Sequence, residues 1–90
     1  MVATIFEATA SRGQAARLAG LMQECREGHP VGVLSAALTL ENSVARLTAY
    51  WKDRDALDRH LSVAVPCGIE LMRRIGVEPR VKIVEVLELA

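Results

Sequence analysis

The segment of residues 31–51 constrains the fold more than any other part of the chain. It contains two runs whose residues alternate between the two sides of a strand, VGVLSAALTLE over 31–41 and VARLTAYW over 44–51. The stretch that joins them, Glu41-Asn42-Ser43, is rich in residue types that stabilise turns. Because two strands joined by so short a turn pair antiparallel, this segment predicts a β-hairpin.

The alternation also assigns side chains to the two faces of this hairpin. In its second strand one face is predicted to carry Leu47, Ala49 and Trp51, and the other Arg46, Thr48 and Tyr50. In its first strand the two predicted faces are Leu34, Ala36, Leu38 and Leu40 against Val33, Ser35, Ala37 and Thr39. The face with Arg46 and Tyr50 is the more polar, so we expect it to lack a cover of helices.

A segment with helical periodicity precedes the hairpin, in residues 11–30. Ser11 is the predicted N-cap and Gln14 occupies the capping-box position three residues later. The apolar stripe of this helix is predicted to consist of Ala15, Leu18, Ala19, Met22 and Cys25. Gly28 and Pro30 are predicted to end the helix.

A second helical segment follows the hairpin. Asp53 or Asp55 is predicted near its start, where the helix dipole favours acids. Its apolar stripe is predicted to consist of Ala56, Leu57, His60, Leu61 and Ala64. Pro66 and Gly68 interrupt the helix, which is predicted to resume and to end at Gly76 and Pro79. In the resumed part the side chains predicted to point inward are those of Ile69, Met72 and Ile75.

Two further strands complete the chain, at residues 2–9 and 81–89. The resulting order, βαββαβ, predicts an α+β protein with a ferredoxin-like fold: a four-stranded antiparallel sheet with both helices on one face. We expect residues 1–90 to form a single domain. The other face of the sheet needs a cover, and a second copy of the chain, packed face to face in a homodimer, would provide it.

Composition excludes several functional classes. Eleven Lys and Arg balance eleven Asp and Glu, so no basic surface for nucleic acid is expected. No apolar stretch is long enough to cross a membrane, and no signal peptide precedes the first strand, which predicts a cytoplasmic protein. Cys25 and Cys67 are far apart, and neither they nor the histidines have the spacing of metal ligands. We therefore expect no metal, and since the six glycines lie at turns and caps rather than in a phosphate-binding loop, we also expect no bound cofactor.

The stretch LTAYWKDRDALDRHL, residues 47–61, resembles the antibiotic biosynthesis monooxygenase-like family of the dimeric α+β barrel superfamily. The stretch PVGVLSAAL, residues 30–38, is similar to the way that family enters its second strand. The resemblance implies a homodimer whose two sheets form a barrel, with a pocket between sheet and helices in each subunit. Members of the family include cofactor-free oxygenases of polycyclic phenols, haem-degrading enzymes, quinol oxygenases and small proteins without known activity.

The resemblance transfers few functional residues. The positions that correspond to the three residues of the haem-degrading branch hold Phe6, His60 and, nearby, Glu70, so haem degradation is not expected. The phenol-oxidising branch is matched at Trp51, whereas its strand Asn falls at Leu47 and its helical Tyr near Leu57. The resemblance therefore implies the fold more than any particular chemistry.

We predict a pocket for a small apolar or aromatic molecule, with His60 as the catalytic base, because a reference pKa of about 6.5 suits proton abstraction. The predicted substrate-binding residues are Trp51, Phe6, Leu47, Leu57 and Met72. If the protein is an enzyme, a cofactor-independent oxygenase of an aromatic or quinol-type compound is predicted. A ligand-binding module without turnover, and a structural dimer in which Trp51 and His60 belong to the core, remain open alternatives.

Other chemistry-bearing residues have simpler interpretations. Tyr50 is predicted to belong to the open face of the sheet, Cys25 to the core and His29 to an exposed loop. Cys67 follows a proline near a helix start, where a thiolate is stabilised, and a reactive thiol is one interpretation of this position.

Overall fold

The elements of the protein follow the predicted order. A computed structural model describes residues 1–24, 30–63 and 67–89. The elements are β1 (Val2–Thr9), α1 (Arg12–Glu24), β2 (Val33–Glu41), β3 (Val44–Trp51), α2 (Arg54–Val63), α3 (Cys67–Arg74) and β4 (Arg80–Glu85). The second helical segment thus consists of two helices, α2 and α3, on either side of residues 64–66. The ferredoxin-like α+β fold is confirmed.

The four strands form one antiparallel sheet in the order β2-β3-β1-β4. The β2–β3 hairpin turns at Asn42 and Ser43, whose φ angles of 49° and 62° both lie in the left-handed region. A two-residue hairpin loop requires this conformation because its twist then matches that of the strands. The predicted hairpin is therefore confirmed, and its turn fixes the register of the two strands.

The register separates two faces of the sheet. Phe6 pairs with Leu47 and Thr4 with Ala49, and these side chains point toward the helices. On the other face Glu7 pairs with Arg46 and Ala3 with Tyr50, which confirms the predicted faces of β3. The Glu7 carboxylate lies 3.3 Å from Arg46 Nε, and this contact lowers the pKa of Glu7 below its ordinary value.

Strand β2 departs from the predicted alternation. A register shift lies between Val33 and Ser35, so that Val33 pairs with Trp51 and Ser35 with Tyr50. Leu34 is the extra residue of this β-bulge, and its side chain is 55% exposed. The prediction that Val33 shares a face with Ser35 is wrong, as is the prediction that Leu34 shares a face with Ala36. The strand also begins two residues later than predicted, after Gly32, which has a φ of 98°.

Helix α1 begins with the predicted capping box. The Ser11 N–H donates to Gln14 Oε1 at 2.9 Å, and the Gln14 N–H donates to Ser11 Oγ at 3.1 Å. Ala15 and Leu18 are buried, whereas Ala19 is exposed, contrary to the predicted stripe. The Gln14 amide also donates to the Ile75 carbonyl, which joins the start of α1 to the end of α3.

The caps of the other helices explain where they begin and end. Asp53 caps α2, since its Oδ1 accepts a hydrogen bond of 2.7 Å from the Ala56 N–H. Helix α3 ends at Arg74, before the turn in which Gly76 adopts a φ of 87° and the Val77 N–H donates to the Met72 carbonyl. The predictions that concern Cys25, Gly28, His29, Ala64 and Pro66 lie outside the described residues.

The core consists of two clusters on the helix side of the sheet. The larger one contains Phe6, Ala8, Leu18, Leu47, Leu71, Met72 and Ile75. The smaller one contains Val2, Trp51, Ala56 and Leu57. Ile69, predicted to point inward, is only partly buried, and Leu61, predicted to belong to the apolar stripe of the second helix, is exposed.

Strand β4 is shorter than predicted. It pairs with β1 only as far as Glu85, although the Val86 N–H still donates to the Met1 carbonyl. Leu87 and Leu89, predicted to belong to this strand, are exposed. Within the described residues, no helix has the length and apolar character needed to span a membrane.

Candidate functional site

A cavity of about 80 Å³, partly open to solvent, lies between the helix side of the sheet and the helices. It is lined by Thr4, Phe6, Met22, Pro30, Val33, Ala36, Leu47, Ala49, Trp51, Leu57, His60, Cys67, Gly68 and Leu71. No Asp, Glu, Lys or Arg is among these described residues. The lining therefore favours an uncharged, largely apolar ligand.

Trp51 is held by both the backbone and its indole nitrogen. As the last residue of β3 it pairs with Val2 on one side and with Val33 on the other. Its Nε1–H donates a hydrogen bond of 3.2 Å to Thr4 Oγ1, and both side chains are buried. A buried indole that is hydrogen-bonded at its nitrogen presents its apolar ring at a fixed orientation.

His60 lies against this ring from helix α2. The centroids of the His60 and Trp51 rings are 5.4 Å apart, and the ring planes are inclined by 34°. The imidazole is half-buried, and no residue of the described ranges hydrogen-bonds it. The nearby carboxylates are engaged elsewhere, since Asp53 caps α2 and Asp58 pairs with Arg54 at 3.0 Å. The two imidazole nitrogens are thus available to a ligand.

Phe6 forms the contact between the sheet and helix α3. A Cβ atom placed on Gly68 would lie 2.5 Å from Phe6 Cδ2 and 2.6 Å from Phe6 Cε2. Glycine at this position therefore allows the helix backbone to contact the ring directly. Both residues belong to the wall of the cavity.

Five of the six side chains predicted to form the site lie together in this cavity: His60, Trp51, Phe6, Leu47 and Leu57. Met72 does not line it, because its side chain is fully buried in the larger core cluster, where the neighbouring Leu71 faces the cavity instead. Tyr50 lies on the opposite face of the sheet, as predicted.

Thr4 was not among the predicted site residues, although a signal for it is present in the sequence. The inward positions of β1 are occupied by Val2, Thr4, Phe6 and Ala8, so Thr4 is the one polar residue on that side of the strand. An indole buried on the neighbouring strand needs an acceptor, and Thr4 is the residue that supplies it. Cys67 also lines the cavity and is half-buried.

The size of the cavity restricts what can be enclosed. A cavity of about 150 Å³ with an apolar lining binds benzene. This cavity of about 80 Å³ would hold part of one ring, so the remainder of an aromatic ligand would occupy the open side. No cluster of three or more metal-ligating side chains is present in the described part of the chain.

The fold and the cavity define a class: a ferredoxin-like α+β domain with an apolar ligand cavity between sheet and helices. No protein-family model matches the chain, and no functionally curated protein matches it by sequence. Similarity is found at the level of structure.

Three solved structures illustrate this similarity. ActVA-Orf6, a monooxygenase of Streptomyces coelicolor in complex with nanaomycin D, superposes with a TM-score of 0.70 at 17% identity, over 99% of this chain and 88% of its own. SnoaB, a cofactor-independent oxygenase of Streptomyces nogalater, gives 0.68 at 16% identity, over 98% and 94%. A candidate antibiotic biosynthesis monooxygenase of Deinococcus radiodurans gives 0.66 at 22% identity, over 100% and 96%.

These similarities span nearly the whole chain at low sequence identity. They confirm that the protein has the fold of the antibiotic biosynthesis monooxygenase-like proteins, as the resemblance at residues 30–61 implied. A shared fold leaves the chemistry to the site itself.

Proposed function

We propose that the protein binds a small aromatic or quinol-type compound in the cavity beside Trp51 and oxidises it with molecular oxygen without a bound cofactor. The observation that carries this proposal is the imidazole of His60, tilted against the Trp51 ring in the wall of an apolar cavity. The fold shared with a cofactor-independent oxygenase and with a monooxygenase in complex with nanaomycin D supports it.

The chemistry starts with proton transfer to His60. The neutral imidazole accepts a proton from a phenol or from an activated C–H group, and leaves a phenolate or carbanion. This electron-rich species reduces oxygen itself, and a C–O bond forms. For a quinol, the ring carbon that forms this bond exchanges its hydrogen for a hydroxyl group, and the ring becomes a hydroxyquinone: one oxygen atom enters the product, the other leaves as water, and all four electrons come from the substrate.

The other residues of the cavity bind the substrate and exclude water. Trp51 and Phe6 hold the ring of the substrate, and Leu47 and Leu57 exclude water from it. Exclusion of water matters because a carbanion in contact with water is reprotonated before oxygen reacts with it.

A second function, binding without turnover, is favoured by one observation. No carboxylate among the described residues orients the His60 imidazole, whereas an acid–base histidine commonly has such a partner. A purely structural role is less well supported, since the interior beside Trp51 contains a cavity.

Oxygen uptake tests the enzymatic proposal. The wild type is assayed with 1,4-dihydroxynaphthalene, hydroquinone and catechol, each corrected for its rate of oxidation without protein. His60→Ala should lower the rate by about 10²-fold or more, the contribution of a general base. Arg59→Ala, an exposed change on the same helix, is the matched control and should leave the rate unchanged. Equal rates in wild type and His60→Ala would remove His60 from the mechanism, and no uptake above background would leave binding alone.

The proposal includes a cytoplasmic homodimer that covers the open face of the sheet. Half-buried Ile5, Thr48 and Tyr50 lie on that face, and a second copy would remove them from water. Light scattering should then give about twice the chain mass of 9.8 kDa, whereas a stable monomer would contradict this part of the proposal.

A further inference from the structure

Thr4 is a polar residue in an apolar position. It is the third residue of β1, on the side that faces the helices, and only 3% of it is exposed. Its neighbours on that side of the strand, Val2 and Phe6, are buried apolar residues. A buried hydroxyl in such surroundings is unfavourable unless its hydrogen-bonding capacity is used.

The Thr4 hydroxyl uses only part of that capacity. Its oxygen accepts the hydrogen bond of 3.2 Å from Trp51 Nε1. A hydroxyl also carries one hydrogen to donate, and no atom of the described residues accepts it. This hydrogen rotates about the Cβ–Oγ bond, so it is directed to wherever an acceptor is placed.

The space next to this donor belongs to the cavity. Thr4 lines the cavity, and so does Ala49, the small residue paired with it on β3. The Trp51 indole is the large side chain of β3 that reaches Thr4, whereas Ala49 has only a methyl group and leaves the cavity open beside the hydroxyl. An acceptor atom of a bound molecule can therefore reach the hydroxyl.

We propose that Thr4 is the polar anchor of the cavity and donates a hydrogen bond to an uncharged acceptor oxygen of the ligand, such as a ketone, a quinone carbonyl or a phenol oxygen. This inference rests on the proposed function and specifies the ligand class of the same cavity. The indole N–H strengthens the anchor, since a hydroxyl that accepts a hydrogen bond becomes a better donor. An aromatic ligand that lacks the oxygen leaves the donor unpaired, and the cavity selects against it.

A matched pair of ligands separates the anchor from the apolar contacts. Acetophenone carries a carbonyl acceptor on one ring, and toluene has the ring without an acceptor. Trp51 is the only tryptophan, so the chain gives one indole N–H signal in a ¹⁵N-correlated spectrum, and its shift during titration yields both affinities. The protein variants are Thr4→Val, which keeps the shape and removes the hydroxyl, and Thr4→Ser, which keeps the hydroxyl.

The hydrogen bond predicts a selective loss. Thr4→Val should weaken the binding of acetophenone by about two- to tenfold and leave the affinity for toluene within a factor of about two of the wild-type value. Thr4→Ser should retain the wild-type preference for acetophenone over toluene. If the valine variant does not fold, Thr4→Ala replaces it and the same selective loss is required.

Other results overturn the inference in distinguishable ways. Equal weakening of both ligands by Thr4→Val would mean that Thr4 only supports Trp51. Binding of both ligands unaffected by Thr4→Val would remove the anchor while the proposed ligand cavity stands. Absence of binding of either ligand to the wild type would overturn the cavity as a ligand site, and the proposed function with it.

Discussion

Replacing Gly68 by alanine tests the contact between helix α3 and the sheet. A Cβ at this position would lie 2.5, 2.6 and 3.0 Å from three carbon atoms of the Phe6 ring. Carbon atoms in favourable contact are about 3.5 Å apart or more, so the overlap is about 1 Å. Phe6 is buried in the larger core cluster and cannot turn into solvent.

The expected magnitude follows from two opposing effects. Overpacking of this kind costs about 1–3 kcal/mol of folding free energy. Removing a glycine from a helix gains up to about 1 kcal/mol, and less here because Gly68 is the second residue of α3. We therefore expect a net loss of about 1–2 kcal/mol, which lowers the melting temperature of a domain of this size by about 5–15 °C.

Urea unfolding followed by Trp51 fluorescence measures this loss. The matched control is Gly20→Ala on α1, where a new Cβ meets nothing within 4 Å. That change should stabilise the protein by about 0.5–1 kcal/mol, so the two alanine substitutions are predicted to have opposite signs. Truncation of the ring in Phe6→Leu should relieve the overlap, and part of the loss should disappear when it is combined with Gly68→Ala.

The reasoning would be refuted by a Gly68→Ala protein that unfolds at the same or a higher urea concentration than the wild type. Helix α3 would then not rest on the Phe6 ring. The same result would remove one wall of the cavity, because Phe6 and Gly68 both line it.

Two further predictions concern a helix cap and an ion pair. Asp53→Ala removes the acceptor of the Ala56 N–H and should destabilise the protein by about 1 kcal/mol in urea unfolding. Asp53→Asn is the control and should retain most of the cap. An unchanged urea midpoint in Asp53→Ala would contradict the assignment of the cap. The lowered pKa of Glu7 means that its ion pair with Arg46 stabilises the folded state above the ordinary carboxyl pKa and is lost as the pH falls through the lowered value. The difference in urea midpoint between wild type and Arg46→Met should therefore be present at pH 7 and vanish at pH 2. Arg12→Met is the control for the loss of an exposed arginine. A difference between wild type and Arg46→Met that persists at pH 2 would contradict the role of the ion pair.

For two strands, the first and last residues could be predicted from the sequence. The bounds of β1 and β3 match the prediction because apolar and polar residues alternate there and because Asn42 and Ser43 mark the turn. The bulge in β2 could not be predicted, because odd- and even-numbered positions near Val33 and Leu34 are both apolar. The pattern therefore does not indicate which of these side chains face the helices. The end of β4 was misplaced for a related reason: Leu87 and Leu89 continue the alternation without a neighbouring strand to pair with.

The site was predictable where local structure determines it. Trp51 ends a strand, Asp53 caps the next helix and His60 lies on the inner side of that helix, so a spacing of nine residues brings the two rings together. The rotation of α3 depends instead on how closely Gly68 approaches Phe6, which no local pattern encodes. That rotation directs Leu71 rather than Met72 into the cavity.

The bulge at Leu34 has a consequence for the shape of the cavity. Val33 and Ala36 both contribute to its wall, although they are separated by an odd number of positions. In an uninterrupted strand such residues point in opposite directions. One extra residue thus allows a single strand to place two closely spaced side chains on the same concave surface. Deleting Leu34 would turn the side chain of either Val33 or Ala36 away from the cavity.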